Sequence, residues 1–186
     1  MDNLFYDKIA KSTAHRPIRD HLSSEVFANT TLFATLINMA LSVNDENHHK
    51  ACWTLELVLE TKIDWLGGYL TIFCNTLSKY RHEGALRSVS KICMFAVVYD
   101  SKLQKSANRF ITAQQREQIT EACFDWLIDP KGKVATKAYA MRTLYLLGKN
   151  EEWINPELVR ILSEDASKHT AAYTAAAKDI LKKINR

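Results

Sequence analysis

Chain breakers are almost missing from this sequence: 5 Gly and 3 Pro among 186 residues. Apolar residues recur instead at three- and four-residue steps from one end to the other. Glycine and proline punctuate β structure and long loops. A chain with so little punctuation and so steady a helical period reads as a stack of helices joined by short turns. A chain of this length buries about 70% of the surface its unfolded form exposes, so it needs no disulfide or metal to fold.

The period predicts about ten helices. The first two are 3–12 and 17–28, with Pro17 at a first helical position where its missing N–H costs nothing. The third and fourth are 31–42 and 46–62. The fifth begins near Asp64, and Gly67-Gly68 makes it either start later or kink, since each glycine costs about 1 kcal/mol in a helix interior. The sixth is 83–100. A basic connection, 101–111, follows. Thr112 and Gln115 have capping-box spacing and open the seventh helix, which Asp129-Pro130 ends. The eighth is 134–147, with Val134, Ala138, Met141 and Tyr145 as its expected buried line and Gly148 as its stop. Asn155-Pro156-Glu157 reads as a cap, a first-turn proline and an acid beside the dipole of the ninth helix. The tenth, 170–184, carries Tyr173, Ala177, Ile180 and Ile184 in line.

Helices of this length with short turns pair as antiparallel hairpins, at steps of about 35 residues, which is the period of an α-solenoid. The internal echo is faint: Lys50-Ala51 recurs as Lys137-Ala138, and Leu57 and Leu59 match Leu144 and Leu146. A compact helical bundle is the alternative packing. Over roughly residues 30–186 the pattern resembles HEAT-like repeats. That resemblance implies an all-α, right-handed solenoid of about five antiparallel pairs, with second helices on the concave side. The expected organisation is one domain: capping helices 1–29, repeat pairs 30–100 and 112–186, and the connecting loop between them. The stretch Cys123-Phe124-Asp125-Trp126-Leu127-Ile128, with Lys137-Ala138-Tyr139-Ala140-Met141 and Thr143-Leu144-Tyr145-Leu146-Leu147-Gly148-Lys149, also looks like a family of short bacterial helical proteins of unknown function. Some of those carry the name adenylosuccinate lyase. That activity is not implied here, because the Gly/Ser-rich catalytic loop with its serine and Met-Pro-x-Lys-x-Asn motif has no counterpart.

The longest apolar run, Ile92 to Tyr99, is far short of the ~20 residues that span a bilayer. Met1-Asp2-Asn3 has no basic n-region, so a cytoplasmic protein away from membranes is expected. Cys52, Cys74, Cys93 and Cys123 each sit in an apolar helical stretch without C-x-x-C spacing, and read as reduced core thiols. His48 and Cys52 share a helix face, but Glu46 and Glu56 are the only further candidates, too few for a convincing metal set. His82-Glu83 reads as a solvated helix start rather than an acid/base pair. No nucleophile elbow and no phosphate loop occurs, so no catalytic residue and no cofactor is expected. Trp53, Trp65, Trp126 and Trp153 read as core or inter-repeat packing, with an exposed groove tryptophan as the functional alternative.

Charge carries the sharper signal. Residues 84–99 hold Arg87 and Lys91 and no acid. Residues 130–150 hold Lys131, Lys133, Lys137, Arg142 and Lys149 and no acid. The seventh helix between them carries Glu117, Glu121, Asp125 and Asp129. If second helices line the concave side, a basic groove is expected there, with Trp53, Arg87, Lys91, Lys137 and Arg142 in it and Lys102, Lys105 and Arg109 on the loop at its edge. The bland alternative is a set of solvated faces. The expected function is non-enzymatic binding of a protein or other anionic macromolecule. The alternative is a nucleic-acid-binding or repair protein of the HEAT-like alkylpurine glycosylase type. In that type Trp53, Arg87, Lys91 and Arg142 take groove roles, but the central acids here are Glu56 and Glu60 rather than an aspartate.

Overall fold

The computed structural model describes residues 2–104, 108–165 and 169–185. Among them are ten α-helices and no strand. They are α1 (Asn3–Lys11), α2 (Arg16–Ala28), α3 (Leu32–Leu41), α4 (His48–Thr61), α5 (Leu70–Thr76), α6 (Glu83–Leu103), α7 (Ala113–Ile128), α8 (Val134–Leu147), α9 (Ile154–Asp165) and α10 (Ala171–Ile184). The chain divides into two compact units, Met1–Phe95 and Ala96–Arg186, with the boundary inside α6.

Local chemistry explains several boundaries. Asp2 caps α1 by accepting from the Phe5 amide at 2.9 Å. Thr112 and Gln115 form both halves of the capping box of α7, at 3.2 and 3.0 Å. Thr170 accepts from the Tyr173 amide to start α10. The glycine pair decides the fifth helix: Ile63–Tyr69 is a 3-10 helix, and α geometry begins only at Leu70. The expected loop at 101–111 begins instead as helix, since α6 runs on through Leu103. Asp100, 3% exposed, then gathers the chain beyond it, accepting from the amides of Phe110 (2.7 Å) and Ile111 (3.0 Å).

In the first unit α4 is the centre. It packs on α3 as a hairpin and also touches α1 and α2. Alternate helices meet as well: α1 with α3, α3 with α5, and α2 with α4. This is two-layer packing, as in a helical repeat. In the second unit α8 is the centre, packed on α7, α9 and α10.

That crowding corrects the expected buried line of α8. Of Val134, Ala138, Met141 and Tyr145, only Met141 is in the core; the other three are half-buried. The buried set is Thr136, Lys137, Ala140, Met141, Thr143, Leu144 and Leu147. A helix with neighbours on several sides buries small polar residues too, and its hydrophobic stripe no longer marks its inner face. The ninth helix also starts two residues earlier than an Asn155 cap implies, at Ile154, so Asn155 lies in its first turn and is no cap.

Candidate functional site

Two adjoining hollows in the second unit lie between α7 and the start of α9. On α7 the residues Glu117, Glu121, Phe124 and Ile128 stand at 4-3-4 spacing and so form one stripe. The opposite face supplies Ile119, Ala122, Cys123, Trp126 and Leu127 to the core. The stripe faces a cleft of about 590 Å3 whose other wall is Glu151, Trp153 and Ile154. A second hollow of about 740 Å3 shares Phe124 and Trp153 and continues along Ile128, Pro156, Glu157, Arg160 and Ile161.

The connection between α8 and α9 sets this wall. Gly148 ends α8 with ordinary right-handed backbone, so conformational freedom is not what requires glycine there. The requirement is space: the Asn155 carboxamide lies where a Cβ would be, and its Nδ2 donates to the Gly148 carbonyl at 3.0 Å. Ile154, wholly buried, then plugs the core and turns its neighbour Trp153 outward. Trp153 is 57% exposed and stacks on Phe124, with centroids 5.7 Å apart and 23° between the planes.

The cleft is acidic. Glu117, Glu121 and Glu151 line it against one guanidinium, Arg116. Arg116 is already committed, lying 3.4 Å from buried Asp100 and 3.8 Å from Glu151. Glu117 and Glu121 are exposed and have no ion-pair partner among the described residues. Like charges four apart cost an isolated helix about 0.2–0.5 kcal/mol. Along the neighbouring hollow, Arg160 is held by Glu157 (2.6 Å) and Glu164 (3.1 Å), and it keeps the Glu157 carboxyl below its usual range.

The expected basic residues fall otherwise. Lys137 is corrected most sharply. It is 2% exposed, and its Nζ donates to the Leu127 carbonyl at 2.5 Å. Leu127 is in the last turn of α7, where carbonyls lack helical partners and the dipole favours a cation. Lys137 therefore closes the α7–α8 turn and presents no charge to solvent. Lys91 is mostly buried, with its ammonium 3.0 Å from Glu56 and 3.4 Å from Glu60. Those acids sit on α4, so counting charges along α6 alone could not find them. Glu56 itself is 2% exposed and also accepts from Ser88 at 2.7 Å.

Arg87 is exposed on α6, and Trp53 is half-buried against the His49 ring at 5.1 Å. Arg142 is exposed, 5.8 Å from the Tyr139 ring centroid. Lys102 is exposed on the last turn of α6 rather than in a loop. Arg109 is exposed, 3.8 Å from Asp100. Lys105 lies outside the described residues. Trp53, Arg87 and Lys91 belong to the first unit and Lys102, Arg109, Lys137 and Arg142 to the second.

A histidine cluster in the first unit was not foreseen as a group. His49 and His82 stack at 3.8 Å and 17°, with His48 about 6 Å from each. Stacked rings hold their nitrogens side by side, not converging. No group of three or more His, Cys, Asp or Glu among the described residues has metal-holding geometry. Burial, ahead of the neighbouring rings, lowers the pKa of both His49 and His82. All four cysteines are buried, and burial pushes the thiols of Cys52, Cys74 and Cys123 up to about 12.

No helix among the described residues is long and apolar enough to cross a membrane. No curated protein and no solved structure matches the sequence. The model of the HEAT repeat domain family matches residues 6–184, almost the whole helical array just described, and the chain belongs to that family.

Proposed function

We propose that this HEAT repeat protein is a non-enzymatic binding module that seats a segment of a partner protein in the cleft between α7 and α9. The observation that carries this reading is Trp153. A tryptophan more than half exposed, stacked on Phe124 and set in a concave surface, is the kind of side chain that dominates protein interfaces. The adjoining exposed apolar surface of Ile128 and Pro156 extends the contact. The buried acids Glu56 and Asp100 serve the fold. Glu56 is tied to Ser88 and Lys91, and Asp100 to the backbone and arginines that surround it.

The test is a comparative capture from source cells with the wild type, Trp153→Ala and a control, Ile72→Ser, at an exposed apolar residue of the first unit. A partner that is lost with Trp153→Ala and kept with Ile72→Ser supports the cleft. A partner set unchanged by Trp153→Ala refutes it. A second reading, binding of an anionic macromolecule, is supported by the exposed cations Arg87, Lys102, Arg109 and Arg142. It has lost Lys91 and Lys137 from its expected contacts.

A further inference from the structure

We infer that the segment seated in the cleft is basic and aliphatic, with a lysine or arginine at one end and apolar side chains at the other. The inference rests on the cleft being the binding site. Its basis is the order of side chains along α7. Glu117 and Glu121 occupy the half toward the helix N-terminus, and Phe124 and Ile128 the half toward its C-terminus. The stripe from residue 117 to 128 runs about 16 Å at 1.5 Å per residue. An extended segment of about five residues covers that length.

Charge selects which chemistry fills the first half. Three carboxylates line the cleft, and its one arginine is held by Asp100 and Glu151. An incoming ammonium or guanidinium between Glu117 and Glu121 relieves the repulsion between them. Such a cation can also stack on the exposed face of Trp153, where the ring quadrupole attracts it. The second half offers the exposed side chains of Ile128 (56%) and Pro156 over buried Ile161, and it leaves no cation unmatched, because Arg160 is held by Glu157 and Glu164. Aliphatic side chains fit there. A nucleic acid backbone is repelled by the first half.

The probes are three fluorescein-labelled synthetic peptides of equal length, titrated onto the full chain and read by polarisation. One has two arginines followed by leucines, one has two glutamates followed by the same leucines, and one has two arginines followed by glycines. The first should bind best, by about tenfold over each of the others. Its affinity should fall as salt is raised from about 0.05 to 0.5 M, since the Debye length shrinks through 10 Å near 0.1 M. Glu117→Lys with Glu121→Lys should remove the preference for arginine over glutamate and leave the fold intact, both sites being exposed. Equal binding of the first two peptides, still abolished by Trp153→Ala, overturns the basic partner and leaves the cleft standing. Binding of the first peptide that Trp153→Ala does not change overturns both, as does no binding of any peptide. Concentration-dependent self-association that Trp153→Ala abolishes makes the occupant a second copy of the chain and overturns the inference.

Discussion

The two units solve the same packing problem with different first-helix layers. In the first unit α1, α3 and α5 touch in sequence, and the apolar side chains between them are covered. Phe33 is buried there, edge-on to Trp65 and Tyr69 at 5.3 and 5.8 Å. In the second unit the corresponding helices α7 and α9 flank an open cleft, while α8 and α10 still pack together beneath. One layer of a helical repeat is enough to hold the core, so the other is free to open. Trp153 stands exposed on half-buried Phe124, whereas the first-unit cluster is anchored on the buried ring of Phe33. That difference is where binding is expected to reside.

The comparison breaks first on stability. Phe73→Ala, at a wholly buried position in α5, should cost about 3–5 kcal/mol in denaturant unfolding. Trp153→Ala should cost about 1 kcal/mol, the order of a stacked aromatic pair, while abolishing partner capture. Equal losses would mean that the cleft is part of the core and no binding surface.

Lys137→Ala comes next. It should lower stability by about 2 kcal/mol, because it removes a charge-assisted bond and leaves the Leu127 carbonyl buried without that donor. Partner binding should survive, since the side chain never reaches solvent. Loss of binding without loss of stability would return Lys137 to the surface.

A smaller effect separates the units by pH. His49 and His82 have folded pKa values below their ordinary 6.5, so the fold favours the neutral rings. As pH falls past 6.5 the unfolded chain takes up protons first, and stability drops until the folded values are passed. Above about pH 7 this contribution is fully present. Hydrogen exchange should show α4 losing protection in that window while α8 keeps it, and His82→Gln should shrink the difference. A uniform response across both units would sink the assignment to this cluster.

The thiols should not distinguish the units at all. Native protein at pH 8 should react slowly with a thiol reagent at every cysteine, and denatured protein should expose four, since burial holds Cys52, Cys74 and Cys123 far from ionisation. A fast native reaction at Cys123 would show that the second unit opens down to its core. The smallest effect is expected from Arg87→Glu with Arg142→Glu, which should change stability by under about 0.5 kcal/mol. No duplex DNA binding is expected at low salt. A salt slope of about −0.9 per phosphate, abolished by this double variant, would establish the anionic-partner reading instead.

The sequence alone determined the elements. The period of apolar residues, Thr112 with Gln115, Pro17, Gly67-Gly68 and Gly148 placed the helices and most of their ends, because capping and backbone strain act over three or four residues. The glutamates of α7 were equally visible, as was the possibility of one exposed tryptophan. Tertiary structure alone decided what those residues do. Lys91 meets Glu56 and Glu60 across about 30 positions of sequence, and Lys137 folds back on a carbonyl of the preceding helix. Trp153 is thrust out because Ile154 is drawn in. Charge and aromaticity can be counted along a chain, but whether a charge is neutralised or a ring covered depends on which helix packs beside it. In this repeat that is settled by contacts between helices, not within them.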